Sequence, residues 1–231
     1  MDKTPKDRLY PDVYFKTEDE LRLFTNQFYN NLVPSAVDIY SESSDLIVKS
    51  DLMLEMSGQR IIPDEGNGWN FTALRDINFY LQYSHNCTEV NARNRYDGVA
   101  RFFRAYFYFE KVKRYGDIPW YDKALDSDDP ELYKARDSRE FVMQKMLEDL
   151  DFAIANLPKT KNAYVLTRWT ALALKSRVCL FEGTFRKYHG LEDCEKYLNA
   201  CVSASETFMN ESGYTLYKSC LLYTSDAADE E

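Results

Sequence analysis

The sequence predicts a mainly α fold, built as an irregular, tetratricopeptide-like helical repeat. Three observations carry this reading. The first is the stretch 97–121, where Val99, Phe102, Phe103, Tyr106, Phe107, Phe109 and Val112 fall at helical spacing and Arg101, Arg104, Lys111, Lys113 and Arg114 supply polar positions. The second is its abrupt stop: Gly116 is a good C-terminal cap, Pro119 cannot continue a helix, and Lys111, Lys113 and Arg114 complement the negative end of the dipole. The third is the placing of small residues among aromatics. Ala105, Ala153, Ala171 and Ala173 let helices approach closely while the rings fill the grooves. No self-similarity at the roughly 34-residue period of tetratricopeptide repeats is visible, so the repeat is irregular.

Taken in order, residues 1–16 read as extended, broken by Pro5 and Pro11. Thr17-Glu18-Asp19-Glu20 reads as a capping box, and Leu21, Phe24 and Phe28 then mark an amphipathic helix. Residues 35–65 are irregular, with Ser41, Ser43 and Ser44 and then the glycines from Gly58 to Gly68 marking loops. Further helices are expected at 68–85, 95–115, 138–156, 165–184 and 191–209, joined by thin connections except for a long, acidic and aromatic one at 116–137.

Composition excludes several function classes. The chain has 231 residues, 45% hydrophobic and 15% aromatic, enough for a sizeable core. A net charge of −9 argues against a phosphate-backbone binder, which needs a basic face, so no nucleic acid is expected as a partner. No apolar run reaches the length of about 18 residues that a membrane span needs. The cysteines at 87, 179, 194, 201 and 220 include no C-x-x-C pair, and His85 and His189 are the only histidines, so neither a zinc site nor another metal or cofactor is expected. Cys194 and Cys201 share one expected helix at a rise that separates them by about 10.5 Å, too far to bridge. Cys179 could pair with either in an oxidising compartment; buried free thiols are the alternative.

Catalytic patterns are weak. His85-Asn86-Cys87 places two reactive residue types side by side, but adjacency does not supply the geometry of a nucleophile and its base. Asp126, Asp128 and Asp129 lack the glycine and terminal glutamate of a calcium loop and read as a solvated acidic loop. Glu148, Asp149 and Asp151 read as the wet face of a helix. The chain is therefore read as no enzyme.

Binding chemistry is better represented. Sugars offer flat CH faces to aromatic rings and rims of hydroxyls to amides, carboxylates and guanidinium groups. The loop from Gln59 and Arg60 to Gly66-Asn67-Gly68-Trp69-Asn70 holds that mixture, and its glycines allow close backbone approach. Arg60, Asn67, Trp69 and Asn70 are the candidate ligand-binding residues; for Trp69 a packing role at a helix start is the alternative. Trp120 and Trp169 read as core or repeat-interface residues.

The stretch Val99-Ala100-Arg101-Phe102-Phe103-Arg104-Ala105-Tyr106-Phe107-Tyr108-Phe109, followed by Arg114-Tyr115-Gly116-Asp117-Ile118-Pro119-Trp120, resembles the first repeat region of the SusD/RagB family. Val99 stands where that family usually has glutamate. The resemblance extends to Asp2-Lys3-Thr4-Pro5 and Tyr14-Phe15-Lys16-Thr17-Glu18, and to Trp69, Ile77 and Asn78, with Ala73 in place of the usual tyrosine. It continues through Asp137-Ser138-Arg139, Glu148 to Ala153, Asn156-Leu157-Pro158 and Thr167 to Val178.

The resemblance implies a SusD-like fold and a glycan-capturing outer-membrane lipoprotein. It would deliver an oligosaccharide to a SusC-like TonB-dependent transporter and meet the membrane only through an N-terminal lipid anchor absent from this sequence. It also implies that residues 1–219 form the N-terminal part of a longer helical-repeat region, with Met1 an internal or misassigned start. Residues 220–231, CLLYTSDAADEE, resemble the translation of a sequencing adapter. The alternative reading is a cytoplasmic helical-repeat scaffold that binds a partner protein.

Overall fold

A computed structural model of the chain describes residues 13–34, 58–59, 61 and 68–216. Six α-helices account for most of them: α1 (Glu18–Leu32), α2 (Thr72–Tyr83), α3 (Val90–Tyr115), α4 (Arg139–Asn156), α5 (Arg168–Tyr188) and α6 (Cys194–Glu211). Short 3-10 turns follow α2 at Ser84–Asn86 and precede α4 at Pro130–Tyr133. Among the described residues the sole β pairing is an isolated antiparallel bridge between Ile118 and Asp137. The expected mainly α architecture holds. The chain forms two compact units, Met1–Leu157 and Pro158–Glu231.

In the first unit α1 begins as the sequence requires. The Thr17 hydroxyl accepts from the Glu20 N–H at 3.3 Å, and the Glu20 carboxylate accepts from the Thr17 N–H at 3.1 Å. Just before it the chain departs from the expected extended form. Phe15 takes a left-handed φ of 66°, and its ring is fully buried against Phe24 and Tyr80, with centroids 5.0 and 5.5 Å away. Strain in the backbone of a bulky residue is stabilised there by aromatic packing. Leu21 and Phe28 complete the inner face of α1.

Helix α3 is the axis of this unit. It spans 26 residues, roughly 39 Å at the standard rise, and touches α1, α2 and α4. It begins at Val90, five residues before the expected start, because Ala92 and Tyr96 extend its buried stripe toward the N-terminus. Gly116 ends it as expected, with a φ of 71° and its N–H donating to the Val112 carbonyl at 3.0 Å. Ala105 and Ala153 are fully buried between α3 and its neighbours. Gly98 lets the Leu157 side chain approach, so a Cβ there would lie 3.4 Å from it.

Two sequence expectations fail in this unit, for one reason. Arg104 was expected at a polar position and Asp149 on a wet face. Both are buried, 7% and 2% exposed. Arg104 Nε donates to Asp149 Oδ2 at 2.6 Å and Nη2 donates to Oδ1 at 2.7 Å. A charge leaves the surface when an opposite charge on the facing helix satisfies it in fork geometry. Glu148 stays exposed and pairs with Lys145 at 2.8 Å.

In the second unit α5 and α6 run antiparallel. Gly183 faces Leu198 near one end, and Ser176 meets Ser205 at 2.8 Å further along. Trp169 is buried and donates through Nε1 to the Lys159 carbonyl at 2.6 Å, matching its expected core role. Ala171 is buried, but Ala173 is exposed, against expectation. A buried ion pair, Arg186 with Glu182 at 2.8 Å, lies within α5.

Cys87 and Cys179 are buried free thiols, as one of the two alternatives held, and Cys194 and Cys201 are also unbridged. Among the described residues no helix is long and apolar enough to cross a membrane, and no cluster of three or more metal-ligating side chains occurs.

Candidate functional site

A cleft of about 550 Å³ opens between α2 and the 116–138 connection, wholly within the first unit. Its volume falls in the range of small-ligand sites. Three segments build it. Gly68 to Phe71 forms the lip, one face of α2 forms the floor, and the connection forms the far wall.

The lip is set by hydrogen bonds at the start of α2. The Asn70 side-chain carbonyl accepts the Thr72 N–H at 2.8 Å, satisfying one of the free N–H groups at the start of α2. The Asn70 N–H donates to the Gly68 carbonyl at 2.9 Å, which folds the lip back. Lys111 of α3 also donates to the Gly68 carbonyl. Burial and the nearby Arg114 charge hold the Lys111 amine below its ordinary range.

Trp69 therefore projects from a fixed backbone. Its ring meets Tyr115 edge-on at 4.9 Å and Phe71 at 5.3 Å, the Arg136 guanidinium lies 4.9 Å from its centroid, and 41% of the residue stays exposed. Trp69 thus packs in part at the helix start, as its alternative reading held, and in part lines the cleft.

The floor comes from Phe71, Leu74, Arg75 and Asn78, residues three or four apart on one helical face. The wall is held by side chains more than by its own backbone. The Pro119 carbonyl accepts from the Tyr108 hydroxyl at 3.2 Å, Trp120 from Lys134 at 2.6 Å, Tyr121 from Asn78 at 2.8 Å, Lys123 from Asn78 at 3.3 Å and Leu125 from Arg75 at 3.3 Å.

On the donor side, the Trp120 N–H binds Asp137 Oδ2 at 2.7 Å, and the Tyr121 N–H donates to the Tyr108 hydroxyl at 2.6 Å. Burial raises the Tyr108 phenol well above its ordinary range, so it is a neutral hydroxyl. Asn78 is oriented in turn by Arg104, whose Nη1 donates to its Oδ1 at 3.2 Å. The buried Arg104 and Asp149 pair thus fixes the cleft wall through Asn78.

Electrostatically the lining is one-sided. Arg75, Lys123, Lys134 and Arg136 face the cleft, and no carboxylate does among the described residues. Lys123 is held by Glu131 at 3.0 Å and Asp129 at 3.2 Å, whose hydrogen bonds raise its amine. The Glu131 backbone N–H lowers the Asp129 carboxyl, so Asp129 of the expected acidic loop is a cap and an ion-pair partner, while Asp126 and Asp128 are exposed as expected.

Of the four candidates, Trp69 lines the cleft and Asn70 does not, bonding instead to the start of α2. Arg60 and Asn67 lie outside the described residues. Sequence reasoning missed Phe71, Arg75 and Asn78, although their spacing marks one helical face. It also missed Tyr121, Lys134 and Arg136, for which no periodic signal exists in an irregular connection. His85 and Cys87 form no catalytic pair: His85 Nδ1 bonds the Gln82 carbonyl at 2.9 Å, and Cys87 is buried.

Comparison with known proteins gives one consistent result. Residues 28–168 match the SusD-like family, described as starch-binding and associating with the outer membrane. SusD-like protein P38 of Formosa agariphila is 29% identical over 87 residues, which is 38% of this chain and 17% of that protein. The solved structure of a SusD-like protein from Bacteroides fragilis superposes with a TM-score of 0.62 at 24% identity, covering 93% of this chain and 42% of that one. A laminarin-binding SusD-like protein superposes with a TM-score of 0.53 at 17% identity, covering 69% of this chain and 34% of that one. The chain spans less than half the length of these relatives.

Proposed function

The chain belongs to the SusD-like family, and from that premise we propose that it binds oligosaccharide without chemical turnover at the outer-membrane surface and passes it to a SusC-like TonB-dependent transporter. The observation that carries this reading is the half-exposed Trp69 at the lip of an aromatic cleft whose floor and wall supply guanidinium and ammonium donors. A pyranose ring lies its CH face on such an indole and points its hydroxyls at those donors.

Trp69 is the stacking platform, with Arg60 and Asn67 of the preceding loop as polar contacts. Asn70 acts by capping α2 and so aiming Trp69. The laminarin ligand of one relative makes oligosaccharide the class to test.

Calorimetric titration of the chain with a panel of oligosaccharides, laminari-oligosaccharides included, tests the reading. Micromolar to millimolar binding is expected, and Trp69→Ala should weaken it by roughly 2- to 10-fold. Unchanged affinity in a folded Trp69→Ala protein would remove Trp69 from the site. Co-purification of a TonB-dependent transporter from native membranes tests the delivery step.

A further inference from the structure

The charge of the cleft specifies its ligand further. Resting on the glycan-binding reading above, we propose that the site selects acidic sugars, those carrying a carboxylate or a sulfate ester, over neutral ones.

The chain as a whole is anionic, with 38 acidic against 29 basic residues. The cleft reverses that balance, with four cationic side chains and no carboxylate in its lining among the described residues. Two of the four are already satisfied: Lys123 by Asp129 and Glu131, and Lys134 by Asp137 at 2.9 Å. Arg75 and Arg136 differ. Among the described residues neither makes an ion pair.

Arg75 uses Nε on the Leu125 carbonyl at 3.3 Å, and Arg136 rests over the Trp69 ring. Asp76 feels the Arg75 charge, but it does not line the cleft. A stacked guanidinium still presents its N–H edge outward. That edge matches the two oxygens of a planar carboxylate or a sulfate. Arg136 covers part of the Trp69 ring and lines the same cleft, so an anionic group recognised there lies beside the aromatic lip. A neutral sugar would leave both guanidinium groups without a counter-charge on the ligand.

The test is a set of calorimetric titrations of the full chain with an oligogalacturonate, a sulfated carrageenan oligosaccharide and a laminari-oligosaccharide, each at low and high salt. At least one acidic probe should bind about tenfold more tightly than the neutral one, and added salt should shrink the difference. The carboxylate and the sulfate arms tell which anion the site takes. The R75Q/R136Q double variant should abolish the preference.

Methyl esterification of the oligogalacturonate removes the anion without touching the protein, so it decides the case even if the variant fails to fold. Equal or tighter binding of the neutral probe, or a preference that survives esterification, overturns the inference and leaves the glycan reading standing. Binding of no probe at all removes both.

Discussion

Removing the Asp149 carboxylate tests how the cleft wall is held. Asp149 is 2% exposed and takes two short hydrogen bonds from Arg104, at 2.6 and 2.7 Å. Arg101 adds a longer contact at 3.5 Å. Asp149→Ala leaves the Arg104 guanidinium buried without its partner, a change that costs about 3–5 kcal/mol. In a chain of this size that is roughly 6–20 °C of melting temperature.

Arg104→Met with Asp149→Leu removes both charges and should recover most of the loss, because the desolvation penalty disappears with the pair. Urea and thermal denaturation of the two single variants and the double variant close the cycle. Asp149→Asn should fall between wild type and Asp149→Ala, since one oxygen acceptor survives. A loss below about 1 kcal/mol for Asp149→Ala, or a double variant no more stable than the single ones, would refute the assignment of a buried, mutually dependent pair.

Three other outcomes follow from separate features. Burial raises the Asp97 carboxyl above its ordinary range, with Ser84, Tyr80, Arg101 and Arg93 pulling the other way, so the native state binds that proton more tightly than the unfolded chain. Stability contributed by this group is then lost as pH rises through the folded pKa, and Asp97→Asn should raise the melting temperature at neutral pH with a gain that vanishes below about pH 4; a gain that grows on acidification contradicts this. Gly183→Ala places a Cβ 2.7 Å from the Leu198 side chain and 3.2 Å from its backbone N, so chemical denaturation should show a loss of about 1–3 kcal/mol from the α5 and α6 pair. Gly116→Ala meets no atom within 4 Å but forces a side chain onto a φ of 71°, and it should cost about 1–3 kcal/mol through the backbone alone, measured the same way.

What was legible in the sequence was local. The Thr17 to Glu20 capping box, the Gly116 stop and the apolar stripe of α3 each depend on residues within a turn or two of one another. The start of α3 at Val90 was not legible, because Glu89 makes no side-chain cap and gives no signature. The burial of Arg104 and Asp149 was invisible for a different reason. Their partnership joins two helices across 45 positions, and a pattern that assigns every charge to the surface has no place for it.

The site divides the same way. Trp69 stood out by composition. Arg136 earns its place only because the connection folds back to lay it on that ring. Family resemblance supplied what periodicity lacked, the SusD-like fold itself.

Among the described residues the main chain from Pro119 to Leu125 has no neighbouring strand, yet side chains take its carbonyls at five positions, four from α2 and α3 and one from Lys134. Its shape is therefore encoded mostly in the helices rather than in the loop. Transplanting residues 116–138 into another set of three helices would carry the sequence of the wall without its form. Transplanting Arg75, Asn78, Arg104, Tyr108 and Asp149 with it would carry both. The same dependence makes the loop's own letters freer to vary than those five helical positions, so the chemistry of the wall can change while the fold that presents it stays put.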